Sequence, residues 1–206
     1  APLLRRLSVE APGTYHHSLM VAALAEGAAE SIGANSLLAR VAAYYHDVGK
    51  AKKPEYFVEN QSYESNKHEE LAPGLSCHII ASHVKDGLQL AAEAGVPQRI
   101  SDIIPQHHGT RVMTYFYEKA RESARAGEGE PAEADFRYPG PKPQSKEAAI
   151  VMMADAVEAA SRTLASPAKS QIQRMIDRLI DDIIQDGQFV DCDITLRDVH
   201  LVKEIF

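Results

Sequence analysis

Cysteine is scarce in this sequence. Cys77 and Cys192 lie far apart in no CxxC or zinc-ribbon spacing, which removes the disulfide-dense and thiolate-metal classes. A single disulfide between them stays open, and a reducing, cytosolic setting is the expectation. Long apolar runs are missing too. The most apolar stretch, Ala148 to Ala156, is interrupted by Asp155 and falls far short of the roughly 18 residues that a membrane span needs. The opening Ala-Pro-Leu-Leu-Arg-Arg lacks the apolar region of a signal peptide. Positive charge is not in excess: 22 Lys+Arg against 29 Asp+Glu give a net charge of −7, which argues against coating a DNA or RNA polymer. Apolar residues at 45% and charged residues at 25% exclude collagen-like and fully disordered chains. A length of 206 residues fits one domain, 1–206, with a sizeable insertion. The chain begins at Ala1 without Met and reads as a fragment of something longer.

Alternation of β-branched residues is also lacking, apart from a short piece near Phe189 to Ile194, and helical periodicity takes its place. From His17, the residues Ala25, Ala28, Ala29 and Ile32 fall at i, i+3, i+4 and i+7, with Gly33 placed to stop the helix. Asn35 is positioned to cap a second helix carrying Leu37, Leu38, Val41, Ala42, Tyr45 and Val48 and ending at Gly49. Pro73 suits the first turn of a third helix to about Ala94, and Pro97 that of a fourth reaching His107. A late stripe of Ile172, Met175, Ile176, Leu179, Ile180, Ile183 and Ile184 opposes Arg174, Asp177, Arg178, Asp181 and Asp182, between Ser166-Pro167 and Gly187. The stretch 126–146 holds three of the twelve glycines and four of the eleven prolines, and must be a loop or insertion. The fold class is all-α.

Histidine is the residue in unusual supply, with nine. His16-His17 opens the first helix, His46-Asp47 closes the second, His83 lies on the third and His107-His108 ends the fourth. Taken singly, each has an ordinary explanation as a capped or surface residue. Adjacent histidines diverge by about 100° around a helix, so a pair serves one centre only where the helix frays, as before Gly109. Asp155 is harder to dismiss. An ionised carboxylate inside an apolar helix costs several kcal/mol unless it is paired or metal-bound, and a buried ion pair is the structural alternative. Together, five histidines and two aspartates form a mixed nitrogen and oxygen donor set suited to Fe, Mn, Zn or Ni. Asp47, directly after His46, is placed to bridge two ions that activate a water for in-line attack at phosphorus. Lys50, one turn on, suits a phosphate oxygen, or else offsets the helix dipole.

These residues carry a resemblance. His46-Asp47-Val48-Gly49-Lys50 resembles the defining motif of the HD phosphohydrolase superfamily. Pro12-Gly13-Thr14-Tyr15-His16-His17-Ser18 followed by Tyr45 to Lys50 resembles, more narrowly, the PgpH-like, seven-transmembrane-helix HD family. Further matches are Tyr56 to Gln61, Ser82 to Gly87, Gln106 to Thr110, Tyr138 to Gln144 and Asp191 to Thr195, so the likeness runs from about residue 12 to 206. The two-letter HD signal is weak alone, whereas the ordered series is specific. A departure lies at Ala126 to Ala132, where this chain is longer and richer in Gly and Glu.

The resemblance implies an all-α HD-domain helical bundle around a di-metal site, hydrolysing the cyclic dinucleotide c-di-AMP to linear pApA. It implies one metal at His17, His46, Asp47 and Asp155, and a second at His83, His107 and His108, with Asp47 as the bridge. His17, not His16, matches the family ligand. Two divalent transition-metal ions, Fe or Mn, would hold the bridging hydroxide that attacks phosphorus, with Asp47 and Lys50 as catalytic residues. Lys50, Arg111, Tyr138 and Lys142 are the candidate substrate contacts. No DNA or RNA polymer is the expected partner. The parent would be a membrane-embedded protein with this domain on the cytoplasmic side, and homodimerisation is left open. His16, His68, His78 and His200 are expected bystanders. The alternatives are an HD enzyme acting on c-di-GMP or another nucleotide, and a cyclic-dinucleotide sensor with weak catalysis. Gly109-Thr110-Arg111-Val112 after the paired histidines lacks the Gly-Tyr-Pro element of the c-di-GMP enzymes.

Overall fold

Proline sets where three helices begin. A computed structural model of the chain describes residues 1–61, 66–124 and 130–206. In it, Pro2, Pro12 and Pro73 each occupy the first turn of a helix, where a missing N–H is no loss. These helices are α1 (Pro2–Glu10), α2 (Pro12–Ser31) and α4 (Pro73–Glu93), with α3 (Ser36–Tyr45) between them. The Asn35 side chain accepts from the Leu38 N–H, capping α3 as its residue type predicts. The remaining helices are α5 (Gln98–Ser101), α6 (Thr114–Ala124), α7 (Lys146–Ser161), α8 (Lys169–Gln185) and α9 (Leu196–Ile205). No helix among the described residues is long and apolar enough to cross a membrane.

Several expected boundaries move, each for a local reason. The first functional helix starts at Pro12, ahead of His17, and the periodicity reading marks neither α1, α6 nor α9. The second helix stops at Tyr45, and the chain tightens into a 3₁₀ turn over Val48–Lys52. Gly49 is therefore not a helix stop. A Cβ there would lie 1.9 Å from the His83 carbonyl oxygen, so its smallness lets this turn press against α4. The fourth helix does not reach His107. It ends at Ser101 and continues as turns, because Pro105 has no N–H to extend the ladder. Phe189 to Ile194 forms turns rather than a strand, and the isolated bridge among the described residues pairs Val112 with Arg137. Within 126–146, residues 125–129 lie outside the described set. The rest holds a short 3₁₀ turn, Glu133–Phe136, before Ser145 caps α7 by accepting from the Ala148 N–H.

The core is built around α7, which is buried at every position from Ala148 to Glu158. That explains its apolar run without a membrane: a helix apolar all round is one enclosed by protein. Val21, Ala22, Ala25 and Ala29 of α2, together with Ala39, Ala42 and Ala43 of α3, pack with it, small side chains allowing close approach. The stripe of α8 contributes Ile176 and Ile180, and α9 adds Val199 and Val202. A second cluster, with Leu3, Leu7, Val48, Leu90 and Ile104, ties α1 and α4 to the Val48–Lys52 turn.

Gly49 and Gly74 make a paired test of this packing. Gly49→Ala must displace backbone on α4 and is expected to cost roughly 1–3 kcal/mol. Gly74, in the first turn of α4 with nothing near its added Cβ, should gain about 0.4–1 kcal/mol when changed to Ala. Urea denaturation of the two variants checks the opposite signs.

Candidate metal centre

Seven side chains from distant parts of the chain meet in the interior. His17 comes from α2, His46 and Asp47 from the end of α3, His83 from α4, His107 and His108 from the turns after α5, and Asp155 from α7. All are buried except the half-buried His108. Their ligating atoms form two groups, His17/His46/Asp47/Asp155 and Asp47/His83/His107/His108, each spanning no more than 4.8 Å. Asp47 belongs to both. Its Oδ2 lies 3.3 Å from His46 Nε2 and 3.6 Å from His17 Nε2. Its Oδ1 lies 3.3 Å from His83 Nε2 and 3.5 Å from His107 Nε2. Asp155 completes the first group, with Oδ1 3.0 Å from His17 Nε2, and its Oδ2 is 3.6 Å from His108 Nδ1.

The backbone decides which ring nitrogen faces inward. His46, His83 and His107 each donate Nδ1–H to the carbonyl three residues earlier: Ala43 at 2.7 Å, Ile80 at 2.6 Å and Ile104 at 2.6 Å. In the neutral ring this leaves Nε2 as a bare lone pair. His17 is held differently, by Glu158 on its Nδ1. These Nε2 atoms face one another, His17 to His46 at 3.3 Å and His83 to His107 at 3.4 Å. Ring nitrogens at such range need a proton or a metal cation between them. Both Asp47 oxygens are buried without a hydrogen-bond partner; Lys50 Nζ is 2.7 Å from Oδ2 but outside hydrogen-bonding geometry. Mixed imidazole and carboxylate donors, orphaned and converging in two groups around one shared carboxylate, fit two divalent cations.

Ionisation divides the centre into unlike halves. Burial works against a charged His46, yet Asp47 and Asp155 outweigh it and push its pKa up to about 10. His17 is raised as well, its burial overcome by Asp155 and Glu158. Burial instead takes His83 down to about 4, and burial with the neighbouring His107 puts His108 well below its ordinary value. Burial opposes ionisation of Asp47 and Asp155, but Lys50 and His46 at the first, and His17 and His46 at the second, hold both well below the usual carboxylate range. One half therefore pairs its carboxylates with imidazoles that favour the protonated form, and the other offers neutral imidazoles.

Lys50 sits beside the converging side chains, between Asp47 and Glu59 Oε1 at 2.8 Å, its ammonium 4.9 Å over the Phe57 ring. Burial disfavours its charge, but the two carboxylates raise its pKa overall. Tyr138 stacks on His108 at 4.2 Å, so one ring face is already covered, and its backbone N–H donates to the Arg111 carbonyl. Arg111 lies on that same turn, and among the described residues its guanidinium has no ion pair. Lys142 reaches toward Gly187 at the end of α8, apart from the ligand cluster. His16, His78 and His200 are exposed. His68 is buried against Tyr56 and Phe116 with its Nε2 on the Tyr56 carbonyl, a packing role outside the centre.

Sequence reasoning misses several supports. Glu59 anchors Lys50 and accepts from the Thr14 hydroxyl at 3.0 Å, while Asn60 holds the Thr14 backbone, binding the Val58–Asn60 turn to the start of α2. Gly13 permits this, since a Cβ there would fall 1.8 Å from the Glu59 carbonyl. Gln188, fully buried, accepts from the Thr110 N–H at 2.9 Å, and Arg137 donates to the Thr110 carbonyl at 2.7 Å, clamping the turn after His108. Glu158 carried a readable signal: a second carboxylate one helical turn after Asp155 in the same apolar helix.

Comparison with known proteins agrees with this geometry. The chain is 50% identical over 203 residues to the cyclic-di-AMP phosphodiesterase PgpH of Bacillus subtilis (strain 168), covering 98% of this chain and 28% of that protein. The PgpH of Listeria monocytogenes serotype 1/2a (strain 10403S) matches equally, at 50% over 203 residues and 28% of its length. The chain thus spans little more than a quarter of these relatives. Among solved structures, the L. monocytogenes PgpH HD domain in complex with cyclic-di-AMP superposes with a TM-score of 0.95 at 50% identity, covering 100% of this chain and 94% of that one. The family model for the HD domain matches residues 14–160, the span that supplies all seven converging side chains. The chain belongs to the HD domain family.

Proposed function

We propose that this chain is the phosphodiesterase domain of a larger membrane protein and hydrolyses c-di-AMP to pApA on its cytoplasmic side. The observation that carries the reading is Asp47, whose two carboxylate oxygens face two separate sets of imidazoles. Likeness to the two PgpH relatives supports the choice of nucleotide. The site residues of the proposal are His17, His46, Asp47, His83, His107, His108 and Asp155 as metal ligands, with iron or manganese as the native ions. When bound, two such ions supply an activated water and draw charge from the phosphodiester.

The chain's own groups do the rest. Asp47 and Asp155 stay ionised in a buried space, keeping the oxygens available as ligands. The carbonyls of Ala43, Ile80 and Ile104 hold three rings so that Nε2 alone faces the centre. Lys50 remains charged and meets the negative charge that grows on phosphate oxygens in the transition state. Arg111, on the turn beside Tyr138, is available to the second phosphodiester of a cyclic dinucleotide. Tyr138 keeps His108 in place and offers its outer face to a base, and Lys142 lies further out as a contact to the nucleotide.

A hydrolysis panel of c-di-AMP, c-di-GMP, cGAMP and pApA with Mn(II)- or Fe(II)-loaded protein is the direct test. Conversion of c-di-AMP to pApA should be the fastest reaction, and chelation should abolish it; binding without product would make the domain a sensor instead. Asp47→Ala should leave no measurable turnover, and a near-normal rate would sink the proposal. Lys50→Met is expected to lower kcat by roughly 10²–10³ while metal content is retained.

A further inference from the structure

The ring-orienting contacts of the centre are unequal. His46, His83 and His107 each lean on a neutral backbone carbonyl, whereas His17 leans on a carboxylate, Glu158. Glu158 is buried, with a side-chain exposure of 8%, and it follows Asp155 by one turn of α7. Its other charged neighbour is Arg162, whose Nε lies 3.2 Å from the same Oε2 that meets His17, at a position 38% exposed. A carboxylate behind an imidazole strengthens the ring's donation to a metal and fixes its orientation. Charge adds to this. The His17/His46/Asp47/Asp155 group has two carboxylates and Glu158 behind it, whereas the Asp47/His83/His107/His108 group has only the shared Asp47.

Resting on the reading that the cluster holds two divalent cations, we propose that the two positions are unequal: Glu158, acting through His17, makes the His17/His46/Asp47/Asp155 position the one that fills first and holds its ion more tightly. Glu158 is a positioning residue here, since it touches a ligand and no ion or substrate. Arg162, at the mouth of this contact, neutralises part of the Glu158 charge from the solvent side and keeps the carboxylate turned to His17.

The test titrates metal-stripped chain with Mn(II) alone, counting bound ion by equilibrium dialysis and free ion by electron paramagnetic resonance. The wild type should bind in two steps. Glu158→Gln keeps an acceptor for the His17 N–H but removes the charge, and should weaken the first step by about 10–100-fold and leave the second in place. His83→Ala should lose the weaker step and retain the tighter one. Circular dichroism verifies folding; if Glu158→Gln does not fold, Glu158→Asp, which withdraws the charge by one methylene, is expected to shift the first step in the same direction by less. Two equal steps in the wild type, an unchanged first step in the Glu158 variant, or loss of the tighter step in His83→Ala would overturn the inference. Because no nucleotide is present, these outcomes stand apart from the hydrolysis panel: failure to cleave c-di-AMP leaves the inequality intact, and two equal steps leave the proposed activity intact.

Discussion

Five imidazoles and two carboxylates converge in two groups that share Asp47, and the rest of the structure answers to that. Nε2 atoms meet at 3.3 and 3.4 Å, and Asp47 is buried with no hydrogen bond to either oxygen, its charge met by Lys50 at 2.7 Å. Each is kept in place by contacts made at the far side of the ring. Backbone carbonyls hold three histidines, Glu158 holds a fourth, and the stacked Tyr138 holds His108. The fold thus orients these donor groups through contacts on their far sides, which lowers the cost of bringing them together.

Rigidity comes from close backbone approach. Gly13 lets Glu59 press on the first turn of α2, and Gly49 lets the Val48–Lys52 turn press on α4 at His83. Both contacts lie one turn or less from a ligand, so the glycines fix the distance between elements that carry His17, Lys50 and His83. Alanines along α2 and α3 draw these helices against α7 in the same way. Gln188 and Arg137 complete the frame from the α8 end, bonding both polar groups of the Thr110 peptide.

The overall charge of −7 says little about what the centre attracts. Charge is distributed locally: Asp47 and Asp155 outweigh burial and raise His46 to a pKa of about 10, Asp155 and Glu158 raise His17, and burial takes His83 down to about 4. On the proposed reading, cations held by these carboxylates, together with Lys50, would suit the site to an anionic phosphodiester. A net-acidic chain and an anionic nucleotide are therefore compatible.

Much of the centre could be read from one dimension. Asp155 stands out because an ionisable group in an apolar helix needs a partner, and the His46-Asp47 pair sits where a helix ends, whereas His107-His108 follow in the turns after α5. The α8 stripe and the Asn35 cap follow from helical period and side-chain chemistry alone, since both are local. Boundaries that depend on a single interrupting group were less legible: Pro105 breaks the fourth helix before His107, and Gly49 serves packing rather than termination. Beyond the two ligand sets that the family resemblance implies, contacts between distant segments could not be read. Nothing in the order of residues says that Glu158 meets His17 across 141 positions, or that Gln188 bonds Thr110 across 78. The donor types and their approximate places were written in the chain because coordination chemistry restricts which side chains serve. Their partners, tautomers and unequal charge were decided only by tertiary packing, because hydrogen bonds and desolvation act between neighbours in space, whatever their separation along the chain.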